Sequence, residues 1–510
     1  MKHVSNHRRL LDLLGKGQDE AIAITGIFGQ SLTYSGLRRQ ISQTISQLNK
    51  LGVGRNDVVA IVLPNGPEMA IAFTAISAGA TTAPLNPAYR EKEFIFYLSD
   101  LGVRLLVVEE NSTTPALSAA KKLSIPIAYL KKSTDLTMLN FDLVGSPLHL
   151  RRILEGDALP EDIAIMLHTS GTTSHPKIVP LTHRNIWTSS SHIVQSLGLS
   201  PKDCCLNIMP LFHIHGLIAA VLSSLAAGSS VFCTPGFNAL KFFSWMQEAQ
   251  PSWYTAVPTM HQAILGRASR NLEIIKSTRL RFLRSSSAPL PISVMQELEK
   301  IFDAPLIEAY GMTEASHQMS SNPLPPAIRK PGTVGLPTGM EISIMDEAGQ
   351  HLPANSTGEI VIRGLNLTAG YQNNPKANAN AFAKGWFRTG DQGQLDDEGY
   401  LQLTGRLKEI INRGGEKISP LEIDEVLMTH PEVMQAITFA TPHKKLGEAV
   451  AAAVVLQKGS NTTTGEIRKY VAHRLADFKV PQQVIILDEI PKGATGKIQR
   501  IGLAKKLGLP

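Results

Sequence analysis

Through the first two thirds of the chain, apolar runs of strand length alternate with stretches whose apolar residues recur at helical spacing. DVVAIVLP, residues 57–64, is continuously apolar, as a strand covered on both faces must be. Residues 66–78 follow with Met69, Phe73 and Ile76 along one helical face, and ATTAPLN (80–86) begins a second strand. Residues 91–100 predict a helix that leads into the strand VRLLVVE (103–109). Such βαβ units imply parallel sheets covered by helices. From about 340 to 405 the pattern changes to short strands between glycine turns, GMEISIMDEAG, TGEIVIRG and DEGYLQLTG, which predicts a small antiparallel module. The last hundred residues predict a separate α+β unit. Its first helix opens at Ser419-Pro420-Leu421-Glu422, with serine as N-cap, proline as first helical residue and glutamate as capping-box partner. Strands at 433–440 and 447–456, a helix near 464–476 and the strand QVIIL complete it. The expected fold class is α/β. A large N-terminal domain (1–405) of βαβ-built sheets plus the β module precedes a small α+β C-terminal domain (409–510), with a hinge near Lys408.

A chain of 510 residues exceeds one core, and 43% hydrophobic with 18% charged residues is an ordinary globular balance. The net charge is +7, and from Arg406 onward 16 Lys+Arg against 11 Asp+Glu leave +5 there (16 − 11). That excess suits anionic ligands or a plain solvated surface equally. No basic block with interleaved aromatics occurs, which argues against nucleic acid as a partner. Cys204, Cys205 and Cys233 form no CxxC and no disulfide framework, as expected in a reducing compartment. The N-terminus lacks a signal-peptide apolar core, and the run at 214–228 is broken by Gly216, Ser223 and Ser224, so no transmembrane segment is expected. The final GLP is not a peroxisomal tripeptide. A cytoplasmic protein is the expectation.

LHTSGTTSHPK (167–177) crowds hydroxyls, a glycine and a lysine into one loop. Small side chains let backbone N–H groups approach anionic oxygens, and hydroxyls add donors, so the loop suits polyphosphate. It is not a Walker A loop. Gly171 and Lys177 have the right spacing, but Pro176 stands where the second glycine belongs and Ile178 where the magnesium-binding hydroxyl belongs. A metal ligand must therefore come from elsewhere. EAYGMTE (308–314) places a hydroxyl beside a carboxylate, GWFRTGD (385–391) ends in an acid suited to two ribose hydroxyls, Gly405-Arg406 adds a cation, and PKGATGK (491–497) sets a lysine among glycines.

TSGTTSHPK, EAYGMTE, WFRTGD, GRLKEIINRGGEKISP and PKGATGK, in this order, resemble the adenylate-forming superfamily: acyl- and aryl-CoA synthetases, beetle luciferases and peptide-synthetase adenylation domains. The likeness covers roughly residues 20–500. It implies that a carboxylate attacks the α-phosphate of ATP, with Mg2+ as cofactor, and that a thiol, coenzyme A, then takes the acyl group after the small domain rotates. By the same resemblance Thr169, Ser170, Gly171, Thr172, Thr173 and Lys177 hold the β- and γ-phosphates. Thr313 contacts the α-phosphate and Glu314 holds magnesium. Ser287, Ala288 and Pro289, with Glu308, Ala309, Tyr310, Gly311 and Met312, frame the nucleotide. Asp391 holds the ribose, assisted by Arg406, and Lys497 bridges the α-phosphate and the attacking carboxylate. Lys408 is the hinge, and Gly414 and Gly415 open the way for the thiol.

PLFHIHG (210–216) matches the family's substrate-gate segment, with His213 as gate; an HxH metal site lacks a third ligand. Ile214 stands where amino-acid-activating members carry aspartate, which disfavours amino acids. WYTAVPTMHQ, SSSAPL and EAYGMTEASHQMSSNPLPP are similar to the oxalate-CoA ligases. His213, His215, Ser287 and His317 would then supply donors to a second carboxylate. The alternatives are a medium-chain fatty-acid tunnel lined by Met312 and Met319, a carrier protein as acceptor, a luciferase-like oxygenase and a catalytically silent scaffold. Intact Glu314, Asp391 and Lys497 argue against the last.

Overall fold

The computed structural model describes residues 8–133, 135, 138–148, 153–169, 176–491 and 500–509. Two sheets with parallel centres and antiparallel edges build the large domain. One has seven strands, in the order Phe141–Gly145, Ile127–Lys132, Leu105–Glu109, Val58–Val62, Thr81–Pro84, Ile163–His168, Ile178–Thr182. The other has nine, and its centre runs Leu306–Met312, Phe282–Ser286, Trp253–Ala256, Cys204–Asn207, Ser230–Cys233. The period of two decides which face each residue serves. Val59 and Ile61 enter the largest apolar cluster, which draws on both sheets, while Val58, Ala60 and Val62 enter a second cluster on the other face. Helix Pro67–Ser77 lies in that shared layer, and every residue of it except Glu68 is buried.

The region 340–405 is an antiparallel sheet of Glu341–Met345, Gly358–Arg363, Trp386–Leu395, Phe382–Ala383 and Leu401–Arg406. The small domain is a five-stranded sheet. Helices Pro420–Met428 and Thr464–Ala472 pack into one apolar cluster and Leu503–Lys506 into another.

Two local expectations are corrected. The helix expected near 464–476 ends at Ala472. Ser419 is the N-cap residue by position, but its hydroxyl caps nothing. It donates instead to the carbonyl of Thr404 in the last strand of the β module. Glu422, the expected capping-box partner, pairs with Lys479 Nζ at 2.6 and 2.7 Å. The apolar run at 214–228 is a buried π-helix, His215–Leu222, continued by Ser223–Ala227. Ser223 and Ser224 donate to the carbonyls of Ala219 and Ala220, so their hydroxyls are satisfied inside the core. Among the described residues no helix is long and apolar enough to cross a membrane.

Candidate active site

The central strands of the nine-stranded sheet end at one edge, where ligands of open parallel sheets gather. Strand Phe282–Ser286 leaves this edge through Ser287, whose φ is +77°, into Ala288 and Pro289. Ser286 Oγ donates to the carbonyl of Ala309 at 2.8 Å and ties this exit to the neighbouring strand Leu306–Met312. That strand folds back almost at once, through the short helix Thr313–Ala315, to pair with His317–Ser321. Gly311, still within the strand, lets the two strands approach this closely, since a Cβ there would stand 1.7 Å from the His317 carbonyl oxygen.

On one flank of this hairpin lie the groups expected to meet the nucleotide. Glu314 is buried, and Tyr371 Oη donates to its Oε1 at 2.8 Å. Lys177 Nζ sits 4.2 Å from the centroid of the Tyr371 ring. Burial pushes the Glu314 carboxyl up, and the Tyr371 hydroxyl, Lys177 and Arg406 pull against that shift. Burial lowers Lys177; Glu314 opposes this and Lys408 adds to it. Five residues from four separate stretches of the sequence, Lys177, Glu314, Tyr371 and the pair Arg406 and Lys408, therefore share one electrostatic locus. Asp391 accepts from Tyr310 Oη at 2.5 Å and lies 3.1 Å from Arg406 Nε, its partner across the antiparallel pair. Arg406 is pushed up, chiefly by Asp391. Thr169 closes the base of the phosphate loop: its N–H donates to the Lys177 carbonyl at 2.9 Å and its Oγ1 accepts from Lys177 N at 3.3 Å. Ser170, Gly171, Thr172, Thr173 and Lys497 lie outside the described residues.

Among the described residues no three His, Cys, Asp or Glu side chains come together as a metal cage. A magnesium ion does not need one, because it commonly takes one or two carboxylates and completes its shell with phosphate oxygens and water. Glu314 beside a phosphate loop fits that habit.

The other flank holds the acid-binding candidates. His215 Nδ1 is 3.1 Å from Ser287 Oγ, its Nε2 is 2.6 Å from Thr255 Oγ1, and its ring meets that of His317 edge-on at 4.9 Å between centroids. His213 Nδ1 accepts from the His215 N–H at 3.2 Å, so the half-buried His213, the expected gate, braces the start of the π-helix. Thr255 and Arg284 were not singled out from the sequence. They are register partners on adjacent strands, and Arg284 is fully buried against His215. An arginine inside the apolar strand RFLRSS was the available signal. Tyr371 was also missed.

Four candidates stand apart. Glu308 is buried, and burial, with Glu425 and Glu299 adding to it, pushes its carboxyl up to about 8. Gly414 and Gly415 turn the hairpin between Ile411–Arg413 and Glu416–Ile418 with φ of +63° and +99°. Gly414 bonds within the small domain to the Leu446 carbonyl, and neighbouring Lys417 pairs with Glu347 of the β module at 3.0 Å. Met319 is a wholly buried core residue and lines no tunnel, whereas Met312 is half-buried beside the site.

The model of AMP-binding enzymes matches residues 14–372, and that of the AMP-binding enzyme C-terminal domain matches 422–497. An oxalate–CoA ligase of Arabidopsis thaliana is 46% identical over 94% of this chain and 94% of its own. An oxalate–CoA ligase of Saccharomyces cerevisiae is 42% identical over 89% and 87%. Among solved structures, ATP-bound MatB from Rhodopseudomonas palustris superposes with a TM-score of 0.88 at 27% identity, covering 98% of both chains. The chain belongs to the AMP-binding enzymes, the adenylate-forming superfamily whose motifs it carries.

Proposed function

We propose that this protein is an AMP-forming acid–CoA ligase that activates oxalate through an oxalyl-adenylate. The observation that carries the substrate is the acid flank: Arg284, Thr255, His215 and Ser287 form a connected donor set beside His317, where an alkyl chain would leave polar groups unpaired. Two relatives named for oxalate support the same choice. A fatty-acid tunnel loses half its expected lining, because Met319 belongs to the core.

In the first half-reaction Thr169 to Thr173 and Lys177 cradle the β- and γ-phosphates, Thr313 meets the α-phosphate, and Asp391 accepts the ribose hydroxyls. Arg406 and Tyr310 hold Asp391 in place for this. Ser287, Ala288 and Pro289 with Ala309 to Met312 frame the adenine. One carboxylate oxygen of the acid attacks the α-phosphorus and pyrophosphate leaves. Two anions must meet, and the Lys497 cation would offset their repulsion. Glu314 would hold magnesium, which when bound neutralises phosphate charge. The domain of residues 409–510 then turns about Lys408 and brings Gly414 and Gly415 toward the acyl carbonyl. The coenzyme A sulfur attacks there and AMP leaves. The absence of side chains at both glycines leaves room for the thiol arm. Three free cysteines, two of them buried, suit a reducing cytoplasm.

A panel of acids from oxalate to laurate, read by pyrophosphate release, tests the substrate. Oxalate is expected to turn over fastest; octanoate turning over while oxalate stays inert refutes the choice. Thioester formation with coenzyme A, set against a carrier-protein phosphopantetheine, tests the acceptor. Exclusive use of the carrier would refute coenzyme A.

A further inference from the structure

Strand Phe282–Ser286 is buried on both faces, and one of its side chains is a cation. Arg284 is 0% exposed. Charged side chains are almost never so deep without an opposite charge. Yet the acceptors of Arg284 are all neutral: Gln318 Oε1 at 2.9 Å, Thr255 Oγ1 at 3.2 Å and His215 Nε2 at 3.3 Å. No carboxylate of the described residues pairs with it, and its Nε finds no acceptor among them. Burial lowers its pKa to about 9, which leaves it protonated at neutral pH. The fold thus keeps a positive charge, with no counter-ion among the described residues, one hydrogen bond behind the acid flank.

The donors around His215 also have a fixed direction. A guanidinium can only donate. An Nε2–H would face the Arg284 hydrogens at 3.3 Å, so the buried charge favours the tautomer whose Nε2 lone pair is turned toward Arg284 and Thr255. Thr255 Oγ1 accepts from Arg284, and its own proton shares that one lone pair at 2.6 Å. The imidazole proton then belongs on Nδ1, facing Ser287 Oγ at 3.1 Å. Ser287 accepts there, and its hydroxyl proton must turn elsewhere. Ser287 is half-exposed at the strand end, so that proton is available to an anion in the site. Each bond in such a chain sets the polarity of the next.

We propose that Arg284 is the positioning residue for acid specificity: it supplies the counter-charge for a second carboxylate and, through His215, aims the Ser287 hydroxyl at it. The inference rests on the reading of the substrate as a dianion and names what recognises the second charge.

The test compares wild-type enzyme with Arg284→Met, Arg284→Lys and Thr255→Val. The readouts are kcat and KM for oxalate and for acetate, KM for ATP, and the ring-nitrogen NMR shifts of His215. Arg284→Met is expected to raise the oxalate KM about 10²-fold, with the KM values for acetate and ATP little changed. Arg284→Lys is expected to recover part of the loss, and the Nδ1-protonated signature of His215 is expected to fade in Arg284→Met. Should Arg284→Met fail to fold, Thr255→Val keeps the charge and removes the hydroxyl that Arg284 and His215 share, for an expected rise of about tenfold in oxalate KM. Equal losses with oxalate and acetate, or an oxalate KM that neither substitution moves, overturns the role. Wild-type turnover is measured first. Inert oxalate beside active octanoate sinks the substrate reading and this inference with it, whereas active oxalate with an indifferent Arg284 sinks the positioning role alone.

Discussion

On the nucleotide flank of strand Leu306–Met312, two carboxylates are held by tyrosine hydroxyls, Glu314 by Tyr371 and Asp391 by Tyr310. On the acid flank a buried guanidinium is held by a threonine, a histidine and a glutamine. The acid flank surrounds its charge with neutral partners, whereas on the nucleotide flank Lys177 and Arg406 stand near the carboxylates as well. The carboxylates suit a metal ion and sugar hydroxyls, and the guanidinium suits an anion. Had each charge been neutralised by a close opposite one, it would have little field left for a ligand. Arg406 against Asp391 is the partial exception, and that pair is half open to solvent on the arginine side. The difference teaches where substitutions should tell: the nucleotide flank in the adenylation rate, the acid flank in the choice of acid.

Lys497→Ala gives the largest expected effect on the nucleotide flank. Removing a group aimed at developing charge costs about 10² to 10³ in rate. Pyrophosphate release should fall that far, while thioester formation from supplied acyl-adenylate should persist. Lys408→Pro should do the reverse, because proline fixes φ at a residue that must rotate. Its backbone neighbours already bond elsewhere, Leu407 N–H to Gly390 and Glu409 N–H to Arg406, so adenylation should survive. Equal damage to both half-reactions in either variant contradicts the assigned role.

Tyr371→Phe sharpens the comparison at a single atom. The ring beneath Lys177 is kept, and only the hydroxyl bonded to Glu314 is lost. That hydroxyl lowers the Glu314 pKa against the upward push of burial, so its loss must raise it. A carboxylate needed in its charged form is lost as pH falls through its pKa. The acid limb of kcat/KM should therefore move to higher pH, with the alkaline limb unchanged. A hydrogen bond to a charged group contributes about 1.5–3 kcal/mol, enough to make the displacement of that limb measurable. An unmoved acid limb would mean that another group governs it.

The two flanks were not equally legible. Thr313, Glu314, Asp391 and Arg406 sit in short polar motifs whose composition no buried strand would choose, so the sequence marks them even before partners are known. Arg284 and Thr255 sit inside apolar strands 29 residues apart. Their meeting depends on the parallel register that sets Thr255 opposite Arg284, and no local pattern carries that register. Tyr371 was hidden for the same reason, since its partner Glu314 lies 57 residues away. Alternation of strand and helix was legible because buried parallel strands need continuous apolar runs, as Val58–Val62 shows. Met312 and Met319 look alike in sequence, yet one borders the site and the other fills the core, because an irregularity in the register after Tyr310 and the turn through Thr313–Ala315 part them.

Ser419 shows the same limit on a smaller scale and gives the smallest expected effect. A serine before proline at a helix start reads as a cap, but a hydroxyl has one proton and chooses among acceptors and donors by geometry. Here it bonds the Thr404 carbonyl fifteen residues back, in the β module on the other side of Lys408. The helix Pro420–Met428 begins without a side-chain cap as a result. Such a bond contributes about 1 kcal/mol net, so losing it should cost about fivefold in whichever state contains it. Ser419→Ala should slow single-turnover pyrophosphate release by about that factor if this arrangement of the small domain is the adenylating one. Thioester formation from supplied acyl-adenylate should stay level or quicken, because the rotation no longer breaks the bond. A matched slowing of both steps would assign Ser419 to stability alone. A slowing confined to the thioester step would make the arrangement the one in which coenzyme A reacts, and would reverse the order of the two conformations.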